Sequence, residues 1–326
     1  MTSIADVLIV TVTKVESRAV IQAFKQAADR EAEPKSIGDR LYLNLGTVNG
    51  ARVFLTQCEM GSSGLDASLL AVGKGIEALS PIAVIMVGIA FGIDDRKQAI
   101  GDILVTKQLR PYELQRMGEK DGKPQIVLRG DKPPASPWLI NYFRSADWSW
   151  NGAPVRFGVV LTGEKLVDNV DFRDQLRGFE PEAIGGEMEG AGLYAACHDR
   201  KIDWILVKSI CDWADGNKAE DKDARQQTAA GNAAAFVVQT LQFAPIDWQE
   251  KRGTAAQAAQ SPDLPGVMTD REVVTPALAM AKRSLAILEK QAAGFSELQM
   301  PPHLRIDLEE KQRQVAELEA RLKEGE

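Results

Sequence analysis

The sequence predicts an α/β protein with a mixed, largely parallel central sheet, followed by a linker and a C-terminal α-helical hairpin. Three observations carry this. Short apolar runs rich in β-branched residues alternate with helix-length segments through residue 244, as expected of strands covered on both faces by helices. Over 245–268 the chain turns to Ala, Gln, Gly, Pro and charge without periodicity, the composition of a linker. From 269 to 326 apolar residues recur three and four apart in two sets, the signature of two amphipathic helices.

The strand candidates are Val7 to Val12 (VLIVTV), Val53 to Gln57, Val84 to Gly88, Phe157 to Leu161 and Trp204 to Lys208. Each is short and almost wholly apolar, as strands buried on both faces are. Helix-length segments lie among them: Glu16 to Ala28, Ser63 to Leu79, Glu189 to Arg200 and Ala224 to Leu241. Between Arg110 and Trp150, Gly118, Gly122, Gly130, Pro124, Pro133, Pro134 and Pro137 follow in quick succession, so the stretch reads as a long loop or insertion. In the tail, Val274, Leu278, Ala281, Leu285, Leu288 and Ala292 form one stripe, with Thr275-Pro276 suited to an N-cap and first helical position. Leu304, Leu308, Val315, Leu318 and Leu322 form the second, beyond Pro301-Pro302. Each stripe is too short for a sustained coiled coil. A hairpin this small has no deep core, so its apolar face is expected to seek a partner.

Composition narrows the chemistry. Of 326 residues, 44% are hydrophobic and 26% charged, and a net charge of -7 supplies no basic field to gather nucleic acid. His198 and His303 stand alone, and Cys58, Cys197 and Cys211 form no CxxC pair, so zinc, thiol redox and Ser-His-Asp chemistry are not expected. The N-terminus shows no basic and long apolar leader. The apolar run Ile82 to Ile93 is broken by Gly88 and Gly92 and is shorter than the ~20 residues of a membrane helix. The expectation is a cytoplasmic protein, away from membranes, whose chemistry rests on carboxylates.

Ligands of such sheets sit beyond the carboxyl ends of strands. Glu16 follows the first strand after a short turn, Glu187 and Glu189 lie in GGEMEGAGLY where a turn leads into a helix, and Asp212 follows WILVK in KSICDWAD. Converging on one crevice, they would supply an acid, a base and a hydroxyl acceptor without any histidine. The same positions also suit ordinary roles: Asp212 as a turn or cap residue, Glu189 as a first-turn carboxylate favoured by the helix dipole, Glu16 on a solvated helix face.

Five segments in order, the first strand leading to Glu16, VIMVGIAFGI followed by GDILV, VVLTGEKLV, GEMEGAGLYAAC and KSICDWAD, resemble the nucleoside phosphorylase and nucleosidase superfamily. The likeness is strongest to its methylthioadenosine/S-adenosylhomocysteine nucleosidase branch and runs from about Ala5 to Leu241. It implies a three-layer α/β/α nucleoside phosphorylase-like domain whose mixed sheet curls toward a barrel. It also implies roles. Asp212 matches the general acid that shares its proton with N7 of a purine, and Cys211 and Trp213 give it a partly apolar surround. Glu16 matches the base that activates water at the anomeric carbon, Glu189 the acceptor of ribose hydroxyls, and Met188 the residue packed under the sugar. Glu187 lies in the same motif. Gly88, Ile89 and Ala90 fall in the glycine turn beside the sugar, and Leu166 and Val167 where the base is contacted, or they are plain core aliphatics. Protonating the leaving group, spreading positive charge over the sugar and holding a nucleophile on the other face is the logic of glycosidic cleavage. No metal and no cofactor is called for.

In the phosphorylases of that superfamily an arginine and a serine hold phosphate where this chain has Met86 and Ile89, whose side chains bind no oxyanion, so water is the expected nucleophile. Phosphate-dependent cleavage stays open through Arg18, as does a non-catalytic nucleoside-sensing scaffold. The substrate expected is a small purine nucleoside or nucleotide. Arg110, Arg116 and Arg129, with Lys107, Lys120, Lys123 and Lys132, make the presumed insertion basic, so Arg116 and Arg129, like Arg18, are candidates for the phosphate tail of a nucleotide such as ATP; a solvated loop is the alternative. The resemblance further implies a homo-oligomer. The tail over 269–326 is similar to helical segments attached to effectors of bacterial conflict systems. That likeness implies a protein partner and an antiviral effector that depletes adenine nucleotides; a dimerisation appendage is the alternative.

Overall fold

A computed structural model describes residues 4–120, 122–217, 221–243, 246–248, 250 and 251, together with 282, 285, 289, 311–313, 315, 316 and 319. Two compact units divide the chain, Met1–Ala255 and Ala256–Glu326. In the second, the described residues are helical and Lys282 Nζ stands 2.7 Å from Glu319 Oε1; the rest of the expected hairpin 269–326 lies outside the described residues. Of the expected linker 245–268, the described residues 246–248, 250 and 251 belong to the first unit. Ile246 and Trp248 are buried there, Trp248 meeting the ring of Trp138 edge-on at 6.3 Å.

The first unit begins with β1 (Val7–Thr11), α1 (Lys14–Ala28), β2 (Glu33–Ile37), β3 (Arg40–Val48), β4 (Ala51–Gln57), α2 (Ser68–Leu79) and β5 (Ala83–Gly92). It continues through β6 (Ile103–Pro111), β7 (Gln115–Lys120), β8 (Lys123–Leu128), α3 (Pro137–Asp147) and β9 (Val155–Thr162). Last come α4 (Val170–Phe179), β10 (Ala183–Glu187), α5 (Gly190–Asp199), β11 (Asp203–Asp212) and α6 (Lys222–Phe243). Nine strands form one sheet in the order β10-β9-β6-β11-β5-β1-β4-β3-β2. β1, β4, β5 and β11 run parallel, as do β6, β9 and β10, while β6 is antiparallel to β11. β10 also pairs antiparallel with β5, through Gly185–Gly92 and Gly186–Phe91, which closes β5, β11, β6, β9 and β10 into a ring. The sheet is mixed, as expected, and part of it is a small barrel.

The sequence explains why these strands lie inside. Every residue of β1 is buried, and β5 and β11 are buried almost throughout. The chain moves from β1 to β4 in one direction and from β4 back to β5 in the other, so right-handed crossovers place α1 and α2 on opposite faces. α1 packs with α6, and α2 packs with α5. Both α1 and α6 leave the carboxyl ends of parallel strands and therefore start at one end of the sheet. No helix among the described residues is long and apolar enough to cross a membrane.

The stretch from Arg110 to Trp150 departs from expectation. It is the end of β6, a two-stranded ribbon of β7 and β8 turning at Gly122, and α3. Of the prolines that suggested a loop, Pro124 and Pro137 occupy places where secondary structure tolerates them, and Pro133 and Pro134 lie in the connection between β8 and α3. Pro111 ends a strand, Pro124 lies in a two-stranded ribbon, and Pro137 opens a helix where its missing N–H costs nothing.

Candidate active site

Glu16 sits in the first turn of α1. Thr13 caps that helix in a capping box: Glu16 N–H donates to Thr13 Oγ1 at 3.3 Å, and Thr13 N–H donates to Glu16 Oε2 at 2.6 Å. Val12 N–H reaches the same oxygen at 2.8 Å, and Ile89 N–H, from β5, reaches Oε1 at 2.8 Å. Three backbone donors thus fix a carboxylate that is 2% exposed, so the solvated-face alternative is wrong for this residue. The glycine turn contributes through its backbone. A Cβ on Gly88 would stand 2.1 Å from Glu16 Oε1, so only glycine lets the carboxylate lie against β5.

Glu187 and Glu189 divide the work at the start of α5. Glu187 ends β10, and its carboxylate accepts Glu189 N–H at 2.9 Å and Gly190 N–H at 2.9 and 3.1 Å, which makes it the cap of the helix. Glu189 makes no cap bond with its side chain. Its Oε1 accepts Gly61 N–H at 3.1 Å and its Oε2 accepts Lys208 Nζ at 3.1 Å. Two hydroxyls hold the segment from the α2 side: Ser68 Oγ donates to Glu189 O at 2.7 Å and Ser62 Oγ to Met188 O at 3.0 Å.

Lys208 is the residue the sequence reading passed over. It lies in β11 opposite Gly88, 1% exposed, with its Nζ 3.1 Å from Glu189 Oε2 and 4.0 Å from Glu187 Oε2. Burial alone would depress its pKa, but Glu189, Glu16 and Glu187 outweigh that and hold it above the ordinary lysine value. Conversely, burial pushes the Glu187 carboxyl up to about 7, with Glu189 adding to the rise and Lys208 opposing it. One cation therefore neutralises part of a buried cluster of three carboxyl groups. A sequence signal existed: a lysine inside a run otherwise apolar enough to be buried.

Asp212 closes β11 after an irregularity in the pairing between Ile210 and Asp212, the sort of bulge that re-aims a side chain. Its Oδ1 accepts Ala214 N–H at 3.0 Å, and Cys211 Sγ lies 3.2 Å from Oδ2. Asp212 is 5% exposed.

These groups meet in a cavity of about 260 Å³. Glu16, Glu187, Met188, Glu189, Cys211 and Asp212 line it, as do Ile89, Ala90, Leu166 and Val167, so every expected catalytic or sugar- and base-contacting position except Gly88 is in its wall. Gly88 lies behind Glu16. Leu166 is 58% exposed and is therefore no core aliphatic, whereas Val167 is buried. The arginines expected for a phosphate tail are not in the wall. Arg18 is exposed on α1, Arg116 is exposed on β7, and Arg129 is exposed beyond β8; the basic stretch that holds the latter two is a ribbon rather than a loop. Of its other charges, Lys132 pairs with Glu180 at 2.5 Å, and Arg110 lies 3.8 Å from the same carboxylate. Wall residues the sequence reading missed are Val12, Thr13, Met60, Phe91, Lys165, Gly186, Lys208, Lys222 and Gln226.

The family model of the phosphorylase superfamily matches residues 6–242, close to three quarters of the sequence. The chain belongs to the phosphorylase superfamily. Among its superfamily relatives is a death domain-containing ATP nucleosidase of Amphimedon queenslandica, 27% identical over 259 residues, covering 72% of this chain and 48% of that protein. The chain thus spans about half the length of that relative. A 5′-methylthioadenosine/S-adenosylhomocysteine nucleosidase of Shewanella oneidensis is 26% identical over 223 residues, covering 66% of this chain and 89% of that one. Solved structures share the superfamily fold. The nucleosidase of the same name from Neisseria meningitidis, in complex with methylthio-immucillin-A, superimposes with a TM-score of 0.61 at 20% identity, covering 73% of this chain and 99% of that one. The futalosine hydrolase of Helicobacter pylori gives 0.61 at 18%, covering 74% and 99%.

Proposed function

We propose that this chain hydrolyses the N-ribosyl bond of an adenosine-type nucleoside or nucleotide and releases free adenine. The observation that carries the reading is the meeting of Glu16, Glu189 and Asp212, from three distant segments, in the wall of one cavity. The names of the two relatives support the leaving group, since ATP and methylthioadenosine have adenine in common and differ at the 5′ end.

In this reading Asp212 donates a proton to N7 as the N9–C1′ bond breaks, so the base leaves neutral. Water adds its oxygen to C1′ and gives a proton to Glu16, whose three backbone donors fix the direction of approach. Glu189 accepts from the ribose hydroxyls. Positive charge that develops on the sugar is met by a cluster whose carboxyl groups outnumber its one cation, Lys208. The same excess disfavours an anionic nucleophile beside Glu16. Met86 is wholly buried in β5, and Lys208 is already held by Glu189, so the cluster supports water over phosphate. A positioned acid or base contributes about 100- to 10,000-fold.

The test is incubation with methylthioadenosine, adenosine, AMP and ATP in phosphate-free buffer. Free adenine and a reducing sugar are expected, and Asp212→Asn should lower the rate by about 100- to 10,000-fold. A requirement for phosphate with release of a ribose 1-phosphate would convert the reading to phosphorolysis. No adenine from any of the four would remove it.

A further inference from the structure

We propose that Lys222, with Gln226 one helical turn on, forms a subsite for the 5′-phosphate of the substrate, so that the cavity selects phosphorylated adenosines. The inference rests on the proposed N-ribosyl hydrolysis, because that reading sets which way the nucleoside lies.

The stereochemistry of a β-nucleoside puts the base and C5′ on one face of the ribose and the 2′ and 3′ hydroxyls on the other. With the hydroxyls at Glu189, C5′ lies on the opposite face of the ribose, the face that carries the base. Asp212, Cys211, Leu166 and Val167 are taken by the base, and Glu16, Met188 and Glu189 by the sugar and its water. What remains of the wall is divided between barrel strands, with Ile89, Ala90 and Phe91 on β5, Gly186 and Glu187 on β10 and Lys208 on β11, and Val12, Thr13, Met60, Lys165, Lys222 and Gln226 off those strands. Val12 and Thr13 lead into α1, and Lys222 and Gln226 open α6. The two helices pack together and start at the same end of the sheet, so these residues make a continuous stretch of wall.

The three lysines of the cavity differ in what already holds them. Lys208 is buried on Glu189, and Lys165 is paired with Glu113. Lys222 has no ion pair among the described residues, and its neighbours in sequence, Asp221 and Asp223, are not in the wall. It is exposed at the cavity mouth, where a tail of one to three phosphates can extend into solvent while the first phosphate meets the ammonium. The Gln226 amide supplies a neutral donor beside it. An apolar 5′ group would leave that ammonium nothing to bind.

The experiment compares kcat/KM for ATP and AMP with that for adenosine in the wild-type chain, Lys222→Ala, Lys222→Glu and Lys222→Arg. Because a ratio is read, a general loss of activity cancels. The phosphorylated-to-unphosphorylated ratio should fall about 10- to 100-fold in Lys222→Ala, fall further in Lys222→Glu and recover largely in Lys222→Arg. An unchanged ratio, or a wild-type chain that cleaves only unphosphorylated nucleosides, would overturn the assignment while leaving the hydrolase reading intact. If the wild-type chain releases adenine from nothing, the hydrolase reading falls by itself. Calorimetric affinities for ATP and adenosine then decide the subsite, which stands only if Lys222→Ala weakens ATP selectively.

Discussion

At the scale of single residues, Lys208 separates what a motif reveals from what it hides. Motif order brought out Glu16, Glu189 and Asp212 because carboxylates after strand ends are visible in a sequence. The cation they share was hidden, since Lys208 looks like the polar end of an apolar strand. It is instead buried in mid-strand, facing a glycine that makes room for it. Lys208→Met should be costly beyond lost contact, because three buried carboxyl groups would lose their counter-charge. Breaking a buried ion pair from one side costs about 3 to 5 kcal/mol, so the variant should unfold at lower denaturant, measured by fluorescence-monitored urea titration. A midpoint equal to wild type would show that the carboxyl groups are compensated elsewhere. Glu16 offers a second lesson. Thr13-x-x-Glu16 is a capping-box spacing that could have been read directly, and it predicts a held side chain rather than a solvated one.

At the scale of elements, the apolar strands and the helices between them were legible because burial on both faces leaves an unbroken hydrophobic run. β2 and β3 were not. β2, EPKSI, is exposed along its length and lies at the sheet edge, where Pro34 and Lys35 suit an edge strand but erase any apolar pattern. The β7–β8 ribbon and α3 were obscured by prolines in tolerated positions. The α2–α5 contact depends on a residue with no side chain. A Cβ on Gly192 would lie 2.2 Å from Ser68 Oγ, 2.7 Å from Leu69 N and 3.0 Å from Ser62 O, and two of those atoms are backbone. Alanine gains about 1 kcal/mol in helix propensity over glycine, but overpacking costs about 1 to 3 kcal/mol, and rigid backbone atoms cannot swing aside. Gly192→Ala should therefore lower the melting temperature and, by disturbing the Ser62 and Ser68 bonds to Met188 and Glu189, raise KM more than it lowers kcat. A variant more stable than wild type would mean that the two helices slide apart without cost.

At the scale of the whole molecule, site and fold are one arrangement. The ring closes through Gly185 and Gly186 against β5, a pairing that the weakly strand-like AIGGE does not advertise, and the closure delivers Glu187 and Glu189 to the cavity that Glu16, Lys208 and Asp212 also line. Packing three carboxyl groups around one lysine has a consequence for stability against pH. Glu187 has its pKa raised by burial from 4.5 to about 7, so between those values the folded chain holds a proton that the unfolded chain releases. The unfolded state binds fewer protons there, and stability must fall as pH rises. The contribution is fully present below about pH 4.5 and lost as pH passes 7. A shift of this size corresponds to about 3 kcal/mol at most. Glu187→Gln resembles the protonated form and cannot titrate, so the stability of wild type relative to the variant should decline from pH 5 to pH 8, whatever the remaining carboxylates do in both. Urea midpoints of the two proteins across that range give the difference directly. A difference that stays flat would place the proton on another member of the cluster, and a difference that grows with pH would mean that Lys208 holds Glu187 ionised throughout.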